Sequence, residues 1–426
     1  MNISKFLNIV ISHIRSKEAK SYVEKELSQH LQQAKNAWMK KGYSVQEAEQ
    51  KAVEEMGSPT VLARSMASIH KPKVDWLLIG MLLVACVCSF LPLFVLNEGS
   101  VNAQFNIGSM VIKNVIIIVA GIALAIGCMY FDYRKLKMKG YLFYGLALTF
   151  IFVFPLLTTN YVNGQAIIQW GIINLQPWMA LPLFVIAWAS IFNLPTIKLW
   201  KVIVLFIVSV ICYLNIAPIS VVFLYIPLVS VMFLQSKFSV KEKWIVSLSF
   251  MTLVGIGMAF IVSTVQHYQI ERLVGFFNPE SSAEGSGYIY LLLKDVVSGA
   301  QWFGASNTSY LPDAHTNLVL AQIIQAYGYA LAILIVAILI IVMIRLIFIT
   351  LNIKDSFGKL LVVGGITLFA TQFMYHILMT FGLVPITSMS LPFISYGFMP
   401  TLLGALAVGL ALSVYRRKNL YVDVKK

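Results

Sequence analysis

The stretch "YLPDAHTNLVLAQ", residues 310–322, sets aspartate, histidine, threonine and asparagine directly ahead of an apolar run that continues to residue 346. About 20 apolar residues suffice to cross roughly 30 Å of hydrocarbon, so this stretch reads as a polar motif at the mouth of a transmembrane helix. The composition agrees. Of the 426 residues, 59% are hydrophobic and 12% charged, and the mean hydropathy is +0.80; a soluble chain of this length could not cover so much apolar surface. This is the composition of a polytopic membrane protein. Cys86, Cys88, Cys128 and Cys212 lie inside apolar runs, which suits small packing residues better than a disulfide framework or an accessible zinc site.

Outward from the motif, runs long enough to span the bilayer occur near 76–95, 109–131, 141–158, 178–196, 199–217, 218–236, 244–267, 317–346, 358–381 and 397–415, ten in all. Asn215–Pro218 is the sole separator between the fifth and the sixth. Basic residues test the count independently, because they concentrate in cytoplasmic loops. "DYRKLKMK" at 132–139, Lys198 with Lys201, "KFSVKEK" at 237–243, the segment 345–359 and the tail from Arg416 all fall on one side. Both termini are therefore expected in the cytosol, with the long loop 268–314 facing outward. The net charge of +14 belongs to inner loops and gives no argument for nucleic acid.

Charges are dense up to about Asp75 and sparse afterwards, which predicts a small cytosolic helical domain, 1–72, ahead of a membrane domain, 73–426. No cleavable signal peptide is expected at its start. Val23, Leu27, Leu31, Ala34 and Trp38 recur at helical spacing up to Gly42, a predicted C-cap. Ser44 and Glu47 have capping-box spacing, Ala48, Ala52, Val53 and Met56 form an apolar stripe, and Gly57–Pro59 ends that helix and opens another. The pattern "KKGYSVQEAEQKAVEEMGSPTVLARSM" resembles the short prefix domains found ahead of some bacterial permeases and sensors; a stabilising cap and a docking module are both open. The overall expectation is an all-α fold.

Of the eighteen acidic residues, eight precede Trp76, and Glu98, Asp132, Glu242, Glu271, Glu280, Glu284, Asp295, Asp313, Asp355 and Asp423 fall in loops or at helix ends. Proton- and sodium-coupled transporters keep ionisable groups within the bilayer to carry the coupling charge. That class is disfavoured. Lys113, near the outer end of the second span, is read either as a snorkelling side chain or as a substrate contact.

Several motifs, in order, resemble the FtsW/RodA/SpoVE family of ten-helix membrane enzymes. They are "FDYRKLK" after the second span, "NLQP" before the fourth, "YQIERLVGFFNPE" and "GSGY" in the large loop, "LPDAHT" before the eighth and "LVPITSMSLPFISYG" before the tenth. The resemblance implies a peptidoglycan glycosyltransferase acting on lipid II during division, elongation or sporulation. In that chemistry a sugar hydroxyl of one lipid-linked disaccharide displaces undecaprenyl pyrophosphate from another. It also implies a divalent cation (Mg or Mn), no organic cofactor, and a class B penicillin-binding protein as partner. The family takes its catalytic carboxylate from "HTD", which here is His315–Thr316–Asn317. An amide cannot take up that proton.

Other positions depart from the family too: Gln176–Pro177–Trp178–Met179 lacks its glutamate, Gln325 and Ala326 replace a pair of glutamates, and Pro218–Ile219–Ser220–Val221 replaces an acidic step. Two readings stay open, with a flippase as a third. In one, Asp313 or His315 takes over as base, with Glu280 or Glu284 lending a carboxylate or holding the metal. In the other, the fold binds a lipid-linked sugar without turnover. For Arg272 and Gln269 the resemblance implies substrate or pyrophosphate contact, and Thr316 and Gln176 join them as candidates. "LPFISYG" at 391–397 is predicted to break the helix, since Pro392 and Gly397 interrupt it, with Ser395 and Tyr396 facing a polar cavity. Gln372 and His376, one turn apart, are read as facing it or as an interhelical hydrogen-bonding pair.

Overall fold

A computed structural model describes residues 1–14, 17–69, 71–98, 107–158, 160–162, 165–170, 173–216, 219–248, 271, 274–305 and 310–420. Packing divides the chain into two units: Met1–Asp75 with the C-terminal end from Tyr415, and Trp76–Val414.

The first unit carries four helices, α1 (Ile3–Ser12), α2 (Lys17–Lys40), α3 (Val45–Glu55) and α4 (Pro59–Ile69). Gly42 ends α2 with φ 92°, where a residue without Cβ is unstrained. The capping box at Ser44 and Glu47 is complete, so two amides that the first turn leaves orphaned find acceptors. Phe6, Val10, Val23, Leu27, Leu31, Val53 and Ala63 share one apolar core. Glu49 closes it at one edge, accepting from the Ile3 amide at 2.9 Å and from Lys35 at 3.4 Å.

The second unit is mostly helical and spans a membrane. Six of its helices are long and apolar enough to cross: Trp76–Val95, Ile107–Tyr130, Gly140–Leu157, Tyr329–Leu351, Ser356–Thr380 and Phe398–Arg416. Three shorter apolar helices, Pro177–Asn193, Leu199–Asn215 and Ser220–Leu234, coincide with the fourth, fifth and sixth predicted spans. Of the seventh, 240–248 is helical and the remainder lies outside the described residues. Ser356–Thr380 and Phe398–Arg416 are 67% and 78% buried, against 22% for Ile107–Tyr130, so these two are the centre around which the others pack. Polar side chains stitch neighbouring helices where water is absent. Trp188 Nε1 donates to the Tyr225 hydroxyl at 2.9 Å, Tyr144 donates to the Leu205 carbonyl at 2.6 Å, and Asn114 donates to Ser89 at 2.9 Å. Asp132 and Arg134 pair bidentately at 2.9 and 3.0 Å.

Two features depart from the sequence expectations. Three short antiparallel strands, β1 (Asn160–Val162), β2 (Gln165–Trp170) and β3 (Ile173–Leu175), occupy the connection between the third and fourth spans, so the fold is not purely α. The eighth predicted span is also divided into Val319–Tyr327 and Tyr329–Leu351. Gly328 makes the break at φ 86° and ψ 173°, a region open essentially to glycine alone. A Cβ there would meet the Trp302 carbonyl oxygen at 2.6 Å.

Candidate functional site

The motif 310–318 is a tight turn fixed from below. Leu311, Ala314, Leu318 and Ala321 pack into an apolar cluster with Leu293, Val296 and Met379, which leaves Asp313 exposed and Thr316 and Asn317 half-buried. Asp313 takes φ 51°, and its carbonyl gathers the amides of Thr316, Asn317 and Leu318 at 3.0, 3.0 and 3.2 Å. The helix starts only at Val319, without a side-chain cap, so neither Thr316 nor Asn317 caps it. Instead the Asn317 amide donates to the Asp313 carboxylate at 3.4 Å. The chain thus lacks a carboxylate at 317 but holds one within reach of it.

A second broken segment, 391–397, closes against this turn. The Tyr396 amide donates to the His315 carbonyl at 2.9 Å, and the Ser395 hydroxyl donates to the Thr316 carbonyl at 2.7 Å. Ser395 also accepts from the Leu391 amide at 2.8 Å; this buried hydroxyl is engaged in joining the two segments. The His315 and Tyr396 rings lie 5.8 Å apart. Phe393 holds φ 65°, costly for a bulky side chain, and its ring is trapped: a Cβ on Gly404 would come within 2.5 Å of it. Among the described residues, Asp313 and Phe393 are the non-glycine residues at positive φ, and both belong to the two joined segments. Strain of this kind costs of order 1–3 kcal/mol per residue and persists where the surroundings impose it.

Burial lowers the His315 pKa from its ordinary value of 6.5, with the Asp313 charge opposing the shift. The imidazole is therefore neutral around pH 7, a hydrogen-bonding group in place of a cation. Gln372 and His376 are buried one turn apart on the central Ser356–Thr380 helix. His376 Nδ1 contacts the Met389 carbonyl at 2.8 Å, which ties that helix to the start of the broken segment. Among the described residues, neither its Nε2 nor the Gln322 Oε1, both buried, has a hydrogen-bond partner. Gln322 was not among the sequence candidates; its place inside an apolar helical repeat hid it.

The remaining candidates are elsewhere or outside view. Lys113 is exposed on Ile107–Tyr130, and Gln176 is half-buried ahead of the 177–179 turn. Glu280 and Glu284 are exposed in the 279–285 stretch. Gln269 and Arg272 lie outside the described residues. Among the described residues no three His, Cys, Asp or Glu side chains cluster.

Residues 76–420 match the FtsW/RodA/SpoVE family model, described as a cell cycle protein. A probable peptidoglycan glycosyltransferase FtsW from Trichlorobacter lovleyi is 30% identical over 37% of this chain and 44% of its own length. The same enzyme from Nitrosomonas europaea is 22% identical over 84% of this chain and 97% of its own. The first curated relatives are matched over about half their length. Among solved structures, a chain from a peptidoglycan synthase complex that coordinates polymerization and crosslinking superposes with a TM-score of 0.67 at 18% identity, over 82% of this chain and 99% of that one. With the family model covering most of the molecule and the fold shared across the membrane unit, this chain belongs to the FtsW/RodA/SpoVE family.

Proposed function

We propose that the protein is a peptidoglycan glycosyltransferase of the bacterial cytoplasmic membrane that uses Asp313 as its base. One observation carries the proposal: the Asp313 carboxylate accepts from Asn317 at 3.4 Å, so a proton acceptor lies beside the position where the family keeps its aspartate. A hydroxyl oxygen of one lipid-linked sugar bonds to the anomeric carbon of another, the bond to undecaprenyl pyrophosphate breaks, and the hydroxyl proton passes to Asp313. Asn317 orients the carboxylate. Neutral His315 and the Tyr396 ring offer hydrogen-bonding and stacking surface to the sugar. A divalent cation would supply charge neutralisation for the departing pyrophosphate. Ten spans, cytosolic termini and an outward 268–314 loop are part of this reading, as is a class B penicillin-binding protein to crosslink the product. The solved neighbour's membership of a complex for polymerization and crosslinking supports that partner.

A second reading, binding without turnover, is favoured by the amide at 317 and the missing glutamates at 178–179 and 325–326. Strand synthesis from lipid II by the purified protein separates the two. The wild type should make glycan strands, Asp313→Ala should lose about 100-fold or more, as for removal of a general base, and His315→Ala should lose less. An inert wild type supports the binding role.

A further inference from the structure

Residues 299–305, "GAQWFGA", have no charge and place two large aromatic side chains outward: Trp302 is 66% and Phe303 77% exposed. Their height relative to the bilayer is fixed by the backbone. The first two amides of the Tyr329–Leu351 span donate to this segment, Tyr329 to the Gln301 carbonyl and Ala330 to the Trp302 carbonyl, both at 3.0 Å. The Tyr329 hydroxyl adds a bond to the Val297 carbonyl at 2.5 Å, and its ring lies 6.0 Å from that of Trp302. Two of the helix's four orphaned N-terminal donors are thus satisfied by the elbow itself, and Gly328 permits the approach because it has no Cβ to strike Trp302. One turn into the span, Ile333 and Leu334 are 53% and 55% exposed on a helix of mean hydropathy 3.3. They face lipid. The exposed aromatics therefore continue a lipid-facing surface up to the end of a transmembrane helix, the level at which tryptophan is favoured because its ring is apolar on one side and polar at its N–H.

We infer that the 299–304 elbow is a membrane anchor, which seats Trp302 and Phe303 in the headgroup–acyl boundary of the leaflet at the N-terminal end of Tyr329–Leu351. The occupant is lipid; a protein partner would have to displace a surface already continuous with the bilayer. The anchor moors the preceding loop helix, Tyr288–Ser298, whose Leu293 and Val296 support the 310–318 turn. It is independent of whether the protein turns over substrate.

The test uses the full chain in vesicles of phosphatidylethanolamine and phosphatidylglycerol. With the four native cysteines changed to alanine, Phe303→Cys and, as a water-exposed reference, Glu284→Cys each receive an environment-sensitive fluorophore. The expected result is blue-shifted emission at 303, quenching there by a lipid nitroxide near the carbonyl end of the acyl chain, and little quenching by iodide, with the opposite pattern at 284. If removing the cysteines prevents folding, the same quenchers applied to the wild type and to Trp302→Phe give the Trp302 contribution by difference. Iodide quenching at 303 equal to that at 284, or a Trp302 contribution untouched by the lipid nitroxide, overturns the inference and leaves the patch to a protein partner.

Discussion

At the scale of single residues, the proposed site pairs an amide with an acid. With asparagine at 317 and a carboxylate at 313, the pair shares a hydrogen bond without sharing a charge. A second carboxylate at 317 would face the first at about the same separation, and like charges so close raise one of the two pKa values. His315 gives a separate signature. Its pKa is lowered by burial, so the unfolded chain binds the proton more readily than the folded one. Stability should therefore be unaffected above the ordinary value of 6.5 and fall as pH drops from there toward the lowered native value. Thermal unfolding of the wild type should show that acid limb and His315→Gln should flatten it; identical limbs would mean that the imidazole is solvated in the folded protein. The sequence made 313, 315 and 317 visible as polar residues in an apolar context. It did not show that Asn317 would hold Asp313, because that contact depends on the positive φ at 313, for which the only local hint is that aspartate tolerates it.

At the scale of elements, six of the apolar runs legible in the sequence form helices long enough to cross a membrane, and the break at Gly328 was not legible from hydropathy. An averaging window passes over Gly328, although an isolated glycine in "QAYGYA" was the available signal. The small sheet had its own signal as well: Val162 pairs with Gln165, and the two residues between them in sequence are Asn163 and Gly164, the strongest short hairpin dipeptide. Gly328→Ala should cost about 2 kcal/mol or more, from the forbidden backbone region and the clash with Trp302, measured as a lower unfolding temperature with increased exchange at the Tyr329 and Ala330 amides. Exchange unchanged from the wild type would mean that the helix break has another origin. In the first unit the helix signals were read at residue level and found as read. There Ser44→Ala removes the α3 cap and should raise hydrogen exchange at its first turn by the equivalent of about 1 kcal/mol. Wild-type protection retained throughout that turn would show that tertiary packing, not the cap, holds it.

At the scale of the whole molecule, the two most buried spans, Ser356–Thr380 and Phe398–Arg416, flank the broken segment 391–397, and that segment is bonded to the 313–318 turn. The fold delivers its two strained backbones to one place by anchoring both to its most buried part. Both "LPDAHT" and "LPFISYG" are legible in the sequence as interruptions of apolar runs. That they meet through Ser395 and Tyr396 backbone and hydroxyl bonds required coordinates, because nothing in the local sequence of either names the other.

The claim that the reacting carboxylate has moved from position 317 to 313 is tested most directly by moving it back. Rates of glycan-strand synthesis from lipid II would be compared for the wild type, Asp313→Asn, and the exchanged variant Asp313→Asn/Asn317→Asp. The account predicts a loss of about 100-fold or more for the single change and substantial recovery in the exchanged variant. Asp313→Asn protein that polymerises at the wild-type rate would contradict it.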